Sequence, residues 1–163
     1  MPAIDRQSTF SGTKEVAGVL AIDAARLETF LASLLPDFSG PLRVQQFKGG
    51  QSNPTYLLET PARRFVLRRK PPGKLLPSAH AVDREFRVIS ALHAQGFPVP
   101  APVLFCDEAG IVGTPFQSYS PNRANKILQK TLASAGPPIA RMRAPARSIT
   151  GSSGDTPAIF IAK

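Results

Sequence analysis

Three stretches of strand character, residues 42–48, 55–60 and 64–69, follow one another with links too short to carry a crossover. The second link is only Pro61-Ala62-Arg63. Parallel neighbours need a connection of about a dozen residues or more, so these strands are confined to an antiparallel meander. Before them, Asp23 is placed to cap a helix whose apolar residues Leu27, Phe30, Leu31, Leu34 and Leu35 recur at helical spacing until Pro36 stops it. After them, Lys70-Pro71-Pro72-Gly73-Lys74 breaks regular structure. A second helix is expected to open at Ser78 or His80, with Val82, Phe86, Ile89 and Leu92 on one face and Gly96 as its stop. Pro98 and Pro100 mark an extended linker, and two further strands are expected at 103–106 and 111–116 around the turn Asp107-Glu108-Ala109-Gly110. Helix, three strands, helix, two strands is an α+β order with five antiparallel strands.

Past residue 116 the pattern fails. Pro121, Pro137, Pro138, Pro145 and Pro157 interrupt a stretch with no sustained apolar period, which cannot easily bury enough apolar surface to offset the entropy of ordering it. The expected organisation is a flexible N-terminus at 1–20, a domain at 21–116 and a disordered or weakly ordered tail at 117–163. Charge divides at the same place: residues 1–116 hold 13 Lys and Arg against 10 Asp and Glu, whereas 117–163 hold 7 against 1. Most of the net charge of +9 therefore belongs to the tail.

The composition, 42% hydrophobic and 19% charged, is that of a soluble globular protein. The apolar run at 16–22 is far short of a membrane span and lacks a signal-peptide cleavage pattern. A single cysteine, Cys106, forms no internal disulfide and reads as a buried, inert thiol, which makes a cytoplasmic location the natural expectation. His80 and His93 stand thirteen residues apart without a carboxylate or thiol cluster, so capping or surface roles are expected of them and no metal site.

Between the first two strands lies Gly49-Gly50-Gln51-Ser52-Asn53. Glycine allows close approach and positive φ, backbone N–H groups can donate to phosphate oxygens, and Ser52 and Asn53 add side-chain donors. On its own such a loop is equally an ordinary hairpin connection. In the third strand, alternation places Val66, Arg68 and Lys70 on one side and Phe65, Leu67 and Arg69 on the other. Glu85 borders the buried face of the second helix and is either a solvated charge or a partner for Arg68; Asp83 is the competing acid and reads as solvated.

Together, FKGGQSNPTYLL, RRFVLRRKPPGKLLPSAHAVDREFRVISALHAQGFPVP and IVGTPF closely resemble the aminoglycoside phosphotransferase-like family, in the branch of kinase-like domains fused to long-chain acyl-CoA dehydrogenases. The resemblance covers about residues 40–116. It implies a kinase-like N-terminal lobe that binds ATP, with Gly49, Gly50, Gln51, Ser52 and Asn53 covering the phosphates, Val66 over the adenine, Arg68 in the place of the phosphate-binding lysine and Glu85 as its ion-pair partner. Arginine in that place is a departure, although a bidentate guanidinium can hold phosphate and carboxylate alike.

A second departure concerns catalysis. The family pattern has a helical C-terminal lobe with a His-Gly-Asp loop and a later magnesium-binding Asp, whereas here His80 is followed by Ala81 and His93 by Ala94. No catalytic residue and no magnesium ligand is identifiable in this sequence. The strand at 111–116 is also expected to run on into an apolar hinge, and Gln117-Ser118-Tyr119-Ser120-Pro121 stands there instead. These features point to the ATP-binding small lobe of a small-molecule phosphotransferase, incapable of transfer on its own, with 117–163 as a frame-shifted or misassembled tail. The branch suggests a hydroxyacyl-CoA among hydroxylated acceptors. The alternative is a non-catalytic module whose basic tail contacts nucleic acid or another polyanion. With only Tyr119 and Phe160 as its aromatics, that tail is a poor base-stacking platform.

Overall fold

Strand alternation explains the layout of the chain. In the computed structural model, which describes residues 12–48, 53–75, 80–121 and 159–161, the meander consists of β2 (Arg43–Phe47), β3 (Thr55–Glu59) and β4 (Arg64–Arg69). It belongs to a seven-stranded sheet, completed by β1 (Thr13–Lys14), β5 (Ala101–Cys106), β6 (Phe116–Ser120) and β7 (Ile159–Ile161). The spatial order is β1-β2-β3-β4-β6-β5-β7, with every neighbouring pair antiparallel. Four of the five expected strands and β6 are its centre, and the short β1 and β7 are added at its edges.

Two helices use opposite faces. Helix α1 (Ala24–Leu34) begins where Asp23 accepts a hydrogen bond from the Arg26 amide at 3.0 Å, satisfying one of the first-turn N–H groups. Leu27 and Leu31 pack on Tyr56, Leu58, Phe65, Leu67, Leu104, Cys106 and Phe116 in the main core. The helix is also tied to the sheet by Glu28, whose carboxylate accepts from the Leu42 amide at 2.7 Å. A Cβ at Gly40 would overlap that carboxylate, so a larger residue before Pro41 would push Glu28 away from its place at the Leu42 amide. Helix α2 (Val82–Ala94) lies on the other face, where Val82 and Phe86 pack against Phe105 in a smaller cluster.

The structure corrects one expected strand. Residues 111–116 do not form it: α3 (Ala109–Val112) is a single helical turn ended by Gly113 at φ +88, and the strand starts at Phe116 and runs to Ser120. A short apolar run reads equally as strand or helix. Here Gly113 donates back to the Ala109 carbonyl at 2.7 Å, and Val112 is buried in the α1-side core. The strand therefore starts five residues later than expected, and Gln117, Ser118 and Tyr119, expected to lie in the tail, are buried within the sheet. Of that tail, 122–158 and 162–163 fall outside the described residues, as do 1–11 at the start of the chain.

Candidate functional site

Cross-strand register gathers the α2 face. Val66 stands opposite Leu57 on β3 and Tyr119 on β6, and Arg68 stands opposite Thr55 and Gln117. Directly paired residues point to the same side of a sheet, so Arg68, Val66, Gln117 and Tyr119 form one patch beneath α2. Asp83 and Glu85 sit in the first turn of α2, where the positive end of the helix dipole favours acids. Glu85 reaches the patch and pairs with Arg68 at 3.1 Å. Asp83, its competitor, turns outward to Arg87 at 2.6 Å, and the hydrogen bond from Arg87 holds the Asp83 carboxyl below its ordinary value.

The Arg68–Glu85 pair is about one-third open, at 32% and 29% exposure. An ion pair this accessible contributes little to stability, but a ligand can reach it. The Nε of Arg68 is buried without a partner among the described residues. Tyr119 lies against both charges, and burial pushes its hydroxyl up to about 12, with Arg68 pulling downward and Glu85 adding to the rise. Gln117 has no exposed surface, and both atoms of its amide lack partners among the described residues. Buried unpaired polar groups are rare and costly. Among the described residues, three such atoms lie in this patch, Arg68 Nε and the two Gln117 amide atoms, against Arg69 Nε on the α1 face and Ser90 Oγ on α2.

Of the expected site residues, Asn53, Val66, Arg68 and Glu85 are brought together on this side, while Gly49, Gly50, Gln51 and Ser52 lie outside the described residues. Asn53 is buried, and its Oδ1 lies 2.7 Å from His80 Nδ1. His80 takes φ +60, a left-handed conformation uncommon for a non-glycine residue, and joins the end of the glycine-rich loop to the start of α2. Val66 is fully covered, so a ligand resting on it must displace the groups above it. Tyr119 and Gln117 were not legible as site residues, because the strand that carries them begins five residues later than the apolar pattern suggests.

The sequence model of the phosphotransferase enzyme family matches residues 43–144, well over half of the chain. The chain belongs to this family. The matched region includes the whole meander, Arg68, α2 and β6, and continues past residue 116, where the quoted motifs end. Among similar proteins, chicken acyl-CoA dehydrogenase family member 11 is 42% identical over 77% of this chain and 17% of its own length. Mouse acyl-CoA dehydrogenase family member 10 is 49% identical over 64% of this chain and 10% of its own. A solved structure described as an aminoglycoside phosphotransferase of Ralstonia eutropha is 35% identical with a TM-score of 0.49, covering 61% of this chain and 28% of that one. The chain thus spans less than a fifth of the length of the dehydrogenase relatives. No helix among the described residues is long and apolar enough to cross a membrane.

Proposed function

We propose that this chain is the nucleotide-binding small lobe of a small-molecule phosphotransferase, with ATP as its ligand. The observation that carries the proposal is the Arg68–Glu85 pair: a cation fixed by an acid on the next helix, open to solvent, with an unpartnered guanidinium nitrogen. A guanidinium already oriented by a carboxylate meets phosphate oxygens at reduced entropic cost. Gly49 to Asn53 would cover the phosphates with backbone N–H groups. Val66 would form the apolar floor for the base once its present cover is displaced.

ATP supplies the transferable phosphoryl group, and this chain's part is to hold and orient it. The two acids nearest the patch are already held, Glu85 by Arg68 and Asp83 by Arg87. They do not fit a magnesium ion, and none is assigned to these residues. Transfer needs an oriented acceptor and charge neutralisation, and no residue of this sequence is assigned either task. A hydroxylated small molecule, with a hydroxyacyl-CoA suggested by the dehydrogenase relatives, is the acceptor class once a catalytic lobe is supplied.

The test is calorimetric titration of the full chain with ATP, followed by an assay for phosphoryl transfer. Saturable binding that weakens about tenfold or more in Arg68→Ala, with no turnover, is the expected result. Absence of binding removes the nucleotide reading. Turnover abolished by Arg68→Ala overturns the claim that the chain cannot transfer alone.

A further inference from the structure

A cavity lies against α2, on the side of the sheet away from the main core. It measures about 610 Å³, has Val82, Phe86 and Phe105 along its apolar wall, and is rimmed by Lys70 and Asp107. At its mouth stands Phe160 of β7. That ring is 6.1 Å from the Phe105 ring, which in turn is 6.0 Å from Phe86. Phe86 directly follows Glu85.

We infer that the outer edge of β5, together with this cavity, is a docking surface for an extended apolar-aromatic-apolar segment, occupied in this chain by Ile159-Phe160-Ile161. Those residues add to the sheet in antiparallel register, Ile161 opposite Leu104, Phe160 opposite Phe105 and Ile159 opposite Cys106. Alternation sends Ile159 and Ile161 to the main core and Phe160 to the α2 side. Strand addition of this kind gains affinity from backbone hydrogen bonds and selectivity from pockets for alternate side chains. Both elements are present here. An uncovered β5 edge would also expose unpaired N–H and C=O groups.

Three residues form a short strand, and Phe160 is still 58% exposed. The contact is accordingly exchangeable. While in place it presses Phe105 toward Phe86, and so steadies the turn of α2 that presents Glu85 to Arg68. The consequence for nucleotide rests on the proposed function; the docking itself does not.

The experiment uses the full chain and hydrogen exchange, which needs no nucleotide. Phe160→Ala should speed exchange at residues 104–106 and in the first turns of α2 by about tenfold or more, as expected for a locally opened segment, while Phe160→Leu should stay near wild type. A labelled peptide of residues 155–163 should bind the Phe160→Ala chain more tightly than the wild-type chain, and an excess of it should speed exchange at 159–161 in wild type. Unchanged exchange at 104–106 in Phe160→Ala, or equal binding of the peptide to both chains, would overturn the docking surface. Altered exchange at 104–106 with unaltered exchange in α2 would overturn the coupling to Glu85.

Discussion

Arg68 and Arg69 are adjacent, share a strand and carry the same side chain, yet the two faces of the sheet put them to opposite uses. Arg69 lies on the α1 face with 2% of its surface exposed. It donates to the Val112 carbonyl and, at 3.2 Å, to the Val19 carbonyl, and its guanidinium stands 5.5 Å over the Tyr56 ring. It thereby ties the end of α3 and the short helical turn Gly18–Leu20 to the sheet. Tyr56 assists, donating to the Leu20 carbonyl at 3.0 Å. Arg68, on the α2 face, has one carboxylate partner and remains open. Arg69 is enclosed by carbonyls of its own chain, whereas Arg68, held by Glu85 and the Tyr119 hydroxyl, keeps about a third of its side chain in solvent.

The contrast can be broken most strongly in the α1-side core. Leu67→Ala removes a fully buried side chain on the α1 face, two residues before Arg69, and should cost about 2–5 kcal/mol in urea-induced unfolding. A smaller loss would mean that this face is not the main source of stability. Next comes Arg69→Met, which leaves two carbonyls unsatisfied and should cost about 1–3 kcal/mol. Arg69→Lys should recover only part of that, because an ammonium cannot span both acceptors and face the ring as a guanidinium does.

Titration sharpens the comparison at smaller amplitude. Burial pushes Cys106 up to about 11 and Tyr119 up to about 12, from 9.0 and 10.0. Both groups bind protons more tightly in the folded chain, so their contribution is fully present below pH 9 and is lost as pH rises through about 11 and 12. Unfolding midpoints measured from pH 8 to 12 should fall across that window, and Tyr119→Phe should flatten the upper part of the decline. The same burial should make Cys106 slow toward thiol reagents at pH 8 and fast in denaturant. A small effect is expected of Asp23→Ala, about 1 kcal/mol from loss of the α1 cap.

The sequence made local relationships legible. Link lengths dictate the meander, the Asp23 cap forms at its expected place, and strand alternation alone separates Arg68 from Arg69. Alternation also left Glu85 within reach of Arg68, although only the folded sheet decides between Glu85 and Asp83. Long-range partners were not legible. The carbonyls on Arg69 come from positions 43 and 50 residues away, and nothing in the local pattern connects them. The misplaced strand has a similar cause: Ile111 and Val112 are apolar because they cover the α1-side core as a helical turn, and the strand that follows is marked by the polar Gln117 and Ser118. Residue type indicates burial there, not conformation.

The most direct test compares Arg68→Gln with Arg69→Gln in the full chain, measuring the ATP dissociation constant and the urea midpoint for each. Arg68→Gln should weaken ATP by about tenfold or more with a midpoint near wild type, since a third-exposed ion pair contributes roughly 0–1 kcal/mol. Arg69→Gln should lower the midpoint while leaving the affinity of the molecules still folded unchanged. If Arg68→Gln binds ATP as wild type does, or if the chain binds no ATP at all, the assignment of the open face to nucleotide is contradicted.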